Sequence, residues 1–104
     1  MLNQTVLVGR LVRKPEVIET ENGAKVSNIS LAVQRSFKNV EGEYETDFIE
    51  VTLWNNIAQS TSEYCKKGDL VGVSGRLQVN EKKEIELIGE KITFLSSKKE
   101  EMEK

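Results

Sequence analysis

The sequence contains no histidine, a single cysteine and a single proline. Without an imidazole there is no His-dependent nucleophile pair or triad. The one cysteine, Cys65, cannot close an internal disulfide, and with histidine absent it cannot complete a Cys/His zinc site. A lone thiol agrees with a reducing compartment. No apolar run exceeds three residues, whereas a membrane span needs about 20. A cytoplasmic location without membrane contact is therefore expected. Neither an EF-hand loop nor a Gly-rich phosphate loop is present. Only carboxylates remain for acid–base chemistry, and they form no constellation. No enzyme and no cofactor are expected. Aromatic residues make up only 6% of the chain, so the position of each ring carries information.

With 104 residues, 38% of them hydrophobic and 31% charged, the chain suits one small globular domain. Net charge is −2, which does not suggest a strongly basic nucleic-acid binder. The charge is unevenly spread, however. Residues 1–40 hold six basic and three acidic residues, and residues 41–104 hold nine and fourteen. Screening over about 10 Å lets a local positive surface act within an acidic chain.

Five strand-like segments can be read. Asn3 to Val12 is apolar on both faces and predicts a strand buried on both sides, with Gly9 marking a bulge, a bend or a close backbone approach. Pro15 interrupts pairing, and Glu16 to Thr20 offers a short continuation. Asn22-Gly23 predicts a type I′ hairpin turn. In Lys25 to Phe37, Ile29, Leu31 and Val33 face one side, and in Tyr44 to Trp54 so do Ile49, Val51 and Leu53. Asn55-Asn56 offers a helix N-cap. Ile57, Ala58, Thr61, Tyr64 and Cys65 then share one helical face, Lys66 and Lys67 suit the last turn, and Gly68 suits a left-handed close. Ile57, Tyr64 and Cys65 are the expected plug against the core. Leu70 to Val79 and Glu84 to Leu95 complete the set, joined by the turn Asn80 to Lys83, with a bulge expected just before Gly89. Three strands, one helix and two strands is the layout of an OB-fold: an all-β, five-stranded Greek-key barrel with a helix between strands three and four. Residues 1–95 form the expected domain and 96–104 a short polar tail.

The stretch D-F-I-E-V-T-L-W, Asp47 to Trp54, places Phe48 and Trp54 opposite its aliphatic face, alongside Glu50 and Thr52. They stand about 20 Å apart at ~3.3 Å per residue. Two readings follow. The rings can be covered by a loop or a partner subunit, or they can serve as platforms for unpaired bases, since every base has a π-face. Phe37 falls on the core side by strict alternation, yet it lies among Arg35 and Lys38, and such a ring also suits a base flanked by phosphates. Arg10, Arg76, Lys82 and Lys83 are further cations that can trace a phosphate path, while Glu50 between the rings opposes one.

In combination, L-V-G-R-L followed by Pro15-Glu16, N-G-A-K-V-S-N-I-S-L-A-V, R-S-F-K-N, T-D-F-I-E-V-T-L-W and S-E-Y-C-K-K-G-D-L-V-G-V-S-G-R-L resemble bacterial-type single-stranded DNA-binding proteins over residues 3–79. The resemblance implies an OB-fold, usually a homotetramer, that wraps single-stranded DNA in replication, recombination or repair. It implies stacking at Phe37, Phe48 and Trp54, with basic contacts at Arg35, Lys38, Lys67 and Arg76. Arg10, Thr52, Gln78 and Lys82 complete the expected nucleic-acid-binding set. Two features depart from the pattern. The usual long hairpin between strands four and five is a short turn without a ring. The sequence ends E-E-M-E-K in place of a flexible tail with an acidic, hydrophobic tip, so recruitment of other proteins through such a tip is not expected. Of the self-assemblies, the tetramer comes from the resemblance alone; the apolar first strand suggests self-association and leaves a dimer open. The alternative function is an OB-fold interaction module, such as a primosome-like adaptor, whose aromatic face is a subunit or partner contact.

Overall fold

The computed structural model of the chain describes residues 1–96. Its elements are β1 (Thr5–Leu11), β2 (Ile18–Glu19), β3 (Lys25–Lys38), β4 (Tyr44–Trp54), α1 (Asn55–Tyr64), β5 (Leu70–Val79) and β6 (Ile85–Ser96). Five strands close on themselves in the order β1-β5-β6-β4-β3 and back to β1, and β2 adds a two-residue extension to β3. The join between β4 and β6 is parallel and the other joins are antiparallel. This is the expected five-stranded barrel with one helix. Ser96, assigned to the tail by the sequence reading, ends β6. The rest of that tail, including E-E-M-E-K, lies outside the described residues.

Alternation works where the barrel wall backs it. Ile29 and Leu31 of β3, Val51 and Leu53 of β4, and Val71 and Val73 of β5 all point inward and are buried, with Leu11 and Leu87 beside them. Fully burying one such aliphatic side chain contributes roughly 1.5–3 kcal/mol. Closure between β1 and β3 depends on Gly9. A Cβ there would lie 2.6 Å from the Ala32 carbonyl oxygen, so close backbone approach is the role this glycine fills. The expected bulge lies slightly further along. Ser74 pairs with Lys91 and Gly75 with Gly89, which leaves Glu90 as the extra residue.

Several local expectations need correction. The first strand is not buried on both faces: Val6 and Val8 point outward and are exposed in the single chain. The helix starts and stops differently too. Trp54 occupies the N-cap without a side-chain cap bond. Asn55 takes a left-handed φ of 54°, which its short polar side chain tolerates, and its Oδ1 accepts from the Lys25 backbone N–H at 3.2 Å. The helix ends at Tyr64, so Lys66 and Lys67 lie beyond its last turn. Gly68, at φ 92°, shapes a separate turn in which the Asp69 N–H donates to the Lys66 carbonyl, and that turn is stitched to Leu11 of β1. The plug is Ala58, Thr61 and Cys65 with half-buried Ile57. Tyr64 is exposed and stands beside Phe94, ring centroids 6.1 Å apart.

The Asn22-Gly23 turn is also not type I′, because only Gly23 has positive φ. Thr20 and Ala24 instead enclose a three-residue loop: the Gly23 N–H donates to the Thr20 carbonyl, and the Thr20 N–H to the Ala24 carbonyl. This is a type I turn closed by a left-handed residue. The same bonds recur at Asn39–Glu43 and at Asn80–Glu84.

Candidate nucleic-acid interface

Residues paired across neighbouring strands point to the same face of a sheet. Following the register around the barrel therefore shows which side chains share a wall. Arg10 of β1 pairs with Ala32 of β3, which pairs with Phe48 of β4. A second row joins Asn28, Thr52, Ile88 and Arg76 across β3, β4, β6 and β5. Val26 and Trp54 form a third row, and Gln78 with Glu86 lies two pairs beyond Arg76 and so on the same face. Arg10, Phe48, Thr52, Trp54, Arg76 and Gln78 thus stand on one outer wall. Phe48 is 69% exposed and Trp54 40%. Neither ring is sealed inside the chain, so each offers surface to a ligand.

Phe37 resolves the conflict between alternation and context, being 70% exposed. The β3–β4 pairing shifts between Gln34 and Lys38, and this end of the hairpin runs beyond the barrel with no core behind it. Parity therefore loses its meaning there. The arm also exposes Tyr44, with the Lys38 Nζ 5.7 Å from its ring centroid, a cation–π arrangement.

The cations are less free than the sequence suggests. Arg35 forks onto Asp47, with both bonds at 3.0 Å, and also contacts Glu45. These carboxylates raise the Arg35 pKa, Asp47 contributing most, and the bond from Arg35 lowers that of Asp47. Asp47, still in register with Val33, sits on the side of β4 opposite Phe48, so its partner Arg35 stands behind the aromatic wall. Arg76 donates to Glu90 at 2.9 Å and to Gln78 at 3.2 Å, and Gln78 donates to Glu86 at 3.0 Å. Arg10 donates to the Gly68 carbonyl at 3.0 Å, which ties it to the loop that carries exposed Lys67. Lys82 is exposed at the β5–β6 turn. Lys38, Lys67 and Lys82 lie off the wall, at its periphery.

One cation escaped the sequence reading. Arg13, in the loop after β1, reaches over the wall to place its Nη2 3.5 Å from Glu50 and 3.3 Å from the Asn28 carbonyl oxygen. It offsets the acidic charge between the rings. The basic first forty residues were the only available signal, since nothing in the local pattern shows how far a loop arginine reaches. Thr52 Oγ1 donates to Asn28 Oδ1 at 3.1 Å in the same strip. Cys65 is buried against the core, and burial together with nearby Asp69 pushes its thiol up to about 11. It is a small hydrophobe here and not a nucleophile. Among the described residues no cluster of three or more Cys, Asp and Glu could hold a metal ion, and no helix is long and apolar enough to cross a membrane.

The Single-strand binding protein family matches residues 2–102, nearly the whole chain. The chain belongs to that family. A relative from Bacillus subtilis named single-stranded DNA-binding protein B is 54% identical over 78 residues, covering 75% of this chain and 69% of its own. Single-stranded DNA-binding protein 1 of Clostridium acetobutylicum is 43% identical over 108 residues, covering 95% of this chain and 98% of its own. A relative from Halalkalibacterium halodurans is 46% identical, but the match spans only 61% of its length. Among solved structures, a deletion mutant of the single-stranded DNA-binding protein from Thermus aquaticus superposes with a TM-score of 0.76 at 28% identity. That match covers 93% of this chain and 52% of the Thermus chain. Family membership and the barrel agree: the aromatic wall lies on a fold that this family shares.

Proposed function

We propose that the chain binds single-stranded DNA without sequence preference, as a non-catalytic protein, and protects it during replication, recombination or repair. One observation carries the reading: Phe48 and Trp54 lie open on the same barrel wall, with Phe37 open on the adjoining arm. Stacking is worth roughly 1–3 kcal/mol per base and accepts any base. Arg10 stands on the wall, Arg13 reaches over it, and Lys38, Lys67 and Lys82 lie around it, so phosphates are held mostly from the rim. The names carried by the relatives support the same ligand. The protein acts in the cytoplasm as a homo-oligomer, with a tetramer the form that the family resemblance supports. The test is titration with oligo-dT, followed by Trp54 emission. Saturable quenching that weakens with salt is expected. Unchanged emission from the folded protein counts against the reading.

A second reading is favoured by a separate observation. Leu77, Val79 and Ile85 expose aliphatic surface on the β5–β6 hairpin, and a patch of this kind marks protein contacts. An interaction module would use it together with the rings. Gel filtration with and without oligo-dT separates the two: a shift on adding DNA selects the binder, and assembly lost in Phe48→Ala with no DNA shift selects the module.

A further inference from the structure

β4 carries a further ring on the side of Phe48 and Trp54. One guanidinium, that of Arg35, reaches both Glu45 and Asp47, so these two side chains share a face, and Asp47 points away from its neighbour Phe48. Tyr44 and Thr46 flank Glu45 in the extended strand and therefore point the other way, to the face of Phe48. The register shift does not disturb this. It sets Arg35, Ser36 and Phe37 of β3 against Glu45 alone, so the extra residues belong to β3 and β4 runs unbroken from Tyr44 to Trp54. Tyr44 is 49% exposed. It lies four residues from Phe48, about 13 Å along the strand. The row Trp54, Phe48, Tyr44 thus runs off the barrel wall and onto the β3–β4 arm.

Across the arm Tyr44 pairs with Lys38, whose Nζ lies 5.7 Å from the ring centroid. Arg35 and Arg76 are each held by carboxylates, whereas Lys38 forms no ion pair among the described residues. An exposed cation–π contact is worth less than a stacked base. A base therefore takes the open part of the Tyr44 ring or displaces the lysine from it, and in both cases the ammonium stays beside the base, where a phosphate follows. Of the two carboxylates next to Tyr44 in sequence, Glu45 is engaged behind it by Arg35, and Glu43 lies in the adjoining loop. Stacking is thus the leading contribution and charge the smaller one. We infer that Tyr44 and Lys38 form a further nucleotide subsite, the ring taking a base and the ammonium a phosphate, which lengthens the track beyond Phe48. The inference rests on the single-strand reading of the wall and extends it onto the arm.

The test titrates the full chain with oligo-dT of about 5 and about 16 nucleotides, near the ends of the range that one OB-fold covers, with Trp54 emission as the readout. The short strand reports on the wall around Trp54; the long one also reaches the arm. Tyr44→Ala is expected to weaken the long strand about fivefold or more and the short strand less than about twofold. Tyr44→Phe keeps the ring and is expected to bind both as the parent does. Lys38→Gln is expected to lower the slope of log K against log salt by about 0.7 for the long strand, the loss of one phosphate contact. Irradiation of a bound strand carrying iodouracil, followed by mass spectrometry of the peptides, is expected to place a crosslink on Tyr44. Parent affinity for the long strand in Tyr44→Ala, or a phenylalanine variant as weak as the alanine one, overturns the inference and leaves the wall standing. Absence of binding to either strand in the parent overturns the reading of the wall, and the inference with it.

Discussion

Two hairpins extend from the barrel, and they are built alike. The β3–β4 arm and the β5–β6 arm both end in a loop closed by an asparagine, Asn39 or Asn80, whose side-chain oxygen accepts two backbone N–H groups at 2.9 and 3.0 Å. Both carry an arginine held by carboxylates, Arg35 on one and Arg76 on the other. They differ in what they expose. The first hairpin shows Phe37, Tyr44, Phe48 and Trp54; the second shows Leu77, Val79 and Ile85 near its turn, and its exposed ring, Phe94, lies at the far end of β6 beside Tyr64. Both kinds of side chain lose free energy in water, so hydrophobicity alone does not distinguish the arms. Ring faces do. A flat π-surface accepts a base, whereas a branched aliphatic surface fits another irregular apolar surface. The scaffold is thus repeated, and under the proposed function the open rings of the first arm suit nucleotides, while the aliphatic turn of the second suits a protein contact.

The sharpest way to break this comparison is at Phe48. Phe48→Ala should weaken oligo-dT binding by about tenfold or more, the loss of one stacked base. Phe48→Leu is more telling, because it keeps apolar area and removes only the flat face. Most of the loss should persist. A leucine variant with the parent's affinity would make the two arms interchangeable. On the second arm, Val79→Lys and Ile85→Lys together should lower the oligomeric mass measured by light scattering. The helical and strand signals in circular dichroism should stay unchanged, since both side chains are already exposed in the single chain.

The carboxylates on each arm allow a finer test. Glu45→Gln with Asp47→Asn releases Arg35 and removes two negative charges near the strand. Affinity should rise a few-fold at low salt. The dependence of log K on log salt should steepen by about 0.7 if the freed arginine takes one phosphate. A slope that stays fixed would place Arg35 out of reach of the DNA.

Where the sequence was legible, a continuous barrel wall enforced the two-residue period. Ile29, Leu31, Val51, Leu53, Val71 and Val73 were readable for that reason. So were Phe48 and Trp54, which share β4 with the core residues that fix its phase. Legibility failed where the wall ends. Phe37 lies past the register shift in β3, where no inner side remains to define parity. Tyr64 is the last helical residue and Cys65 already has an extended backbone, so the helical period no longer decides which of them turns inward. The arginine clamps were hidden for a different reason. Arg35 meets Asp47, twelve residues away, and Arg76 meets Glu90, fourteen away. Such pairs depend on strand register and loop length, which composition and alternation do not determine.

The smallest expected effect returns to the two loops. Gly42, at φ 80°, closes the first arm, and Lys83, at φ 65°, holds the corresponding place in the second. Gly23 fills it in the β2–β3 loop, at φ 84°. The bonding is matched: the Gly42 N–H reaches the Asn39 carbonyl and the Lys83 N–H the Asn80 carbonyl, each at 3.0 Å. The side chain is thus the main difference between these sites. A left-handed conformation costs an L-residue about 1–2 kcal/mol, and glycine gives back roughly half of that through its larger entropy in the unfolded chain. Lys83→Gly should therefore stabilise the protein by about 0.5–1 kcal/mol. Gly42→Lys should destabilise it by a similar amount, and purely through the backbone, since a Cβ at Gly42 meets nothing within 4 Å. The urea midpoint should move up in one variant and down in the other with the slope unchanged, because neither alters the surface exposed on unfolding. If Lys83→Gly left the midpoint where it was, the lysine side chain would be offsetting its own backbone strain, and the two loops would be equivalent in bonding but not in energy.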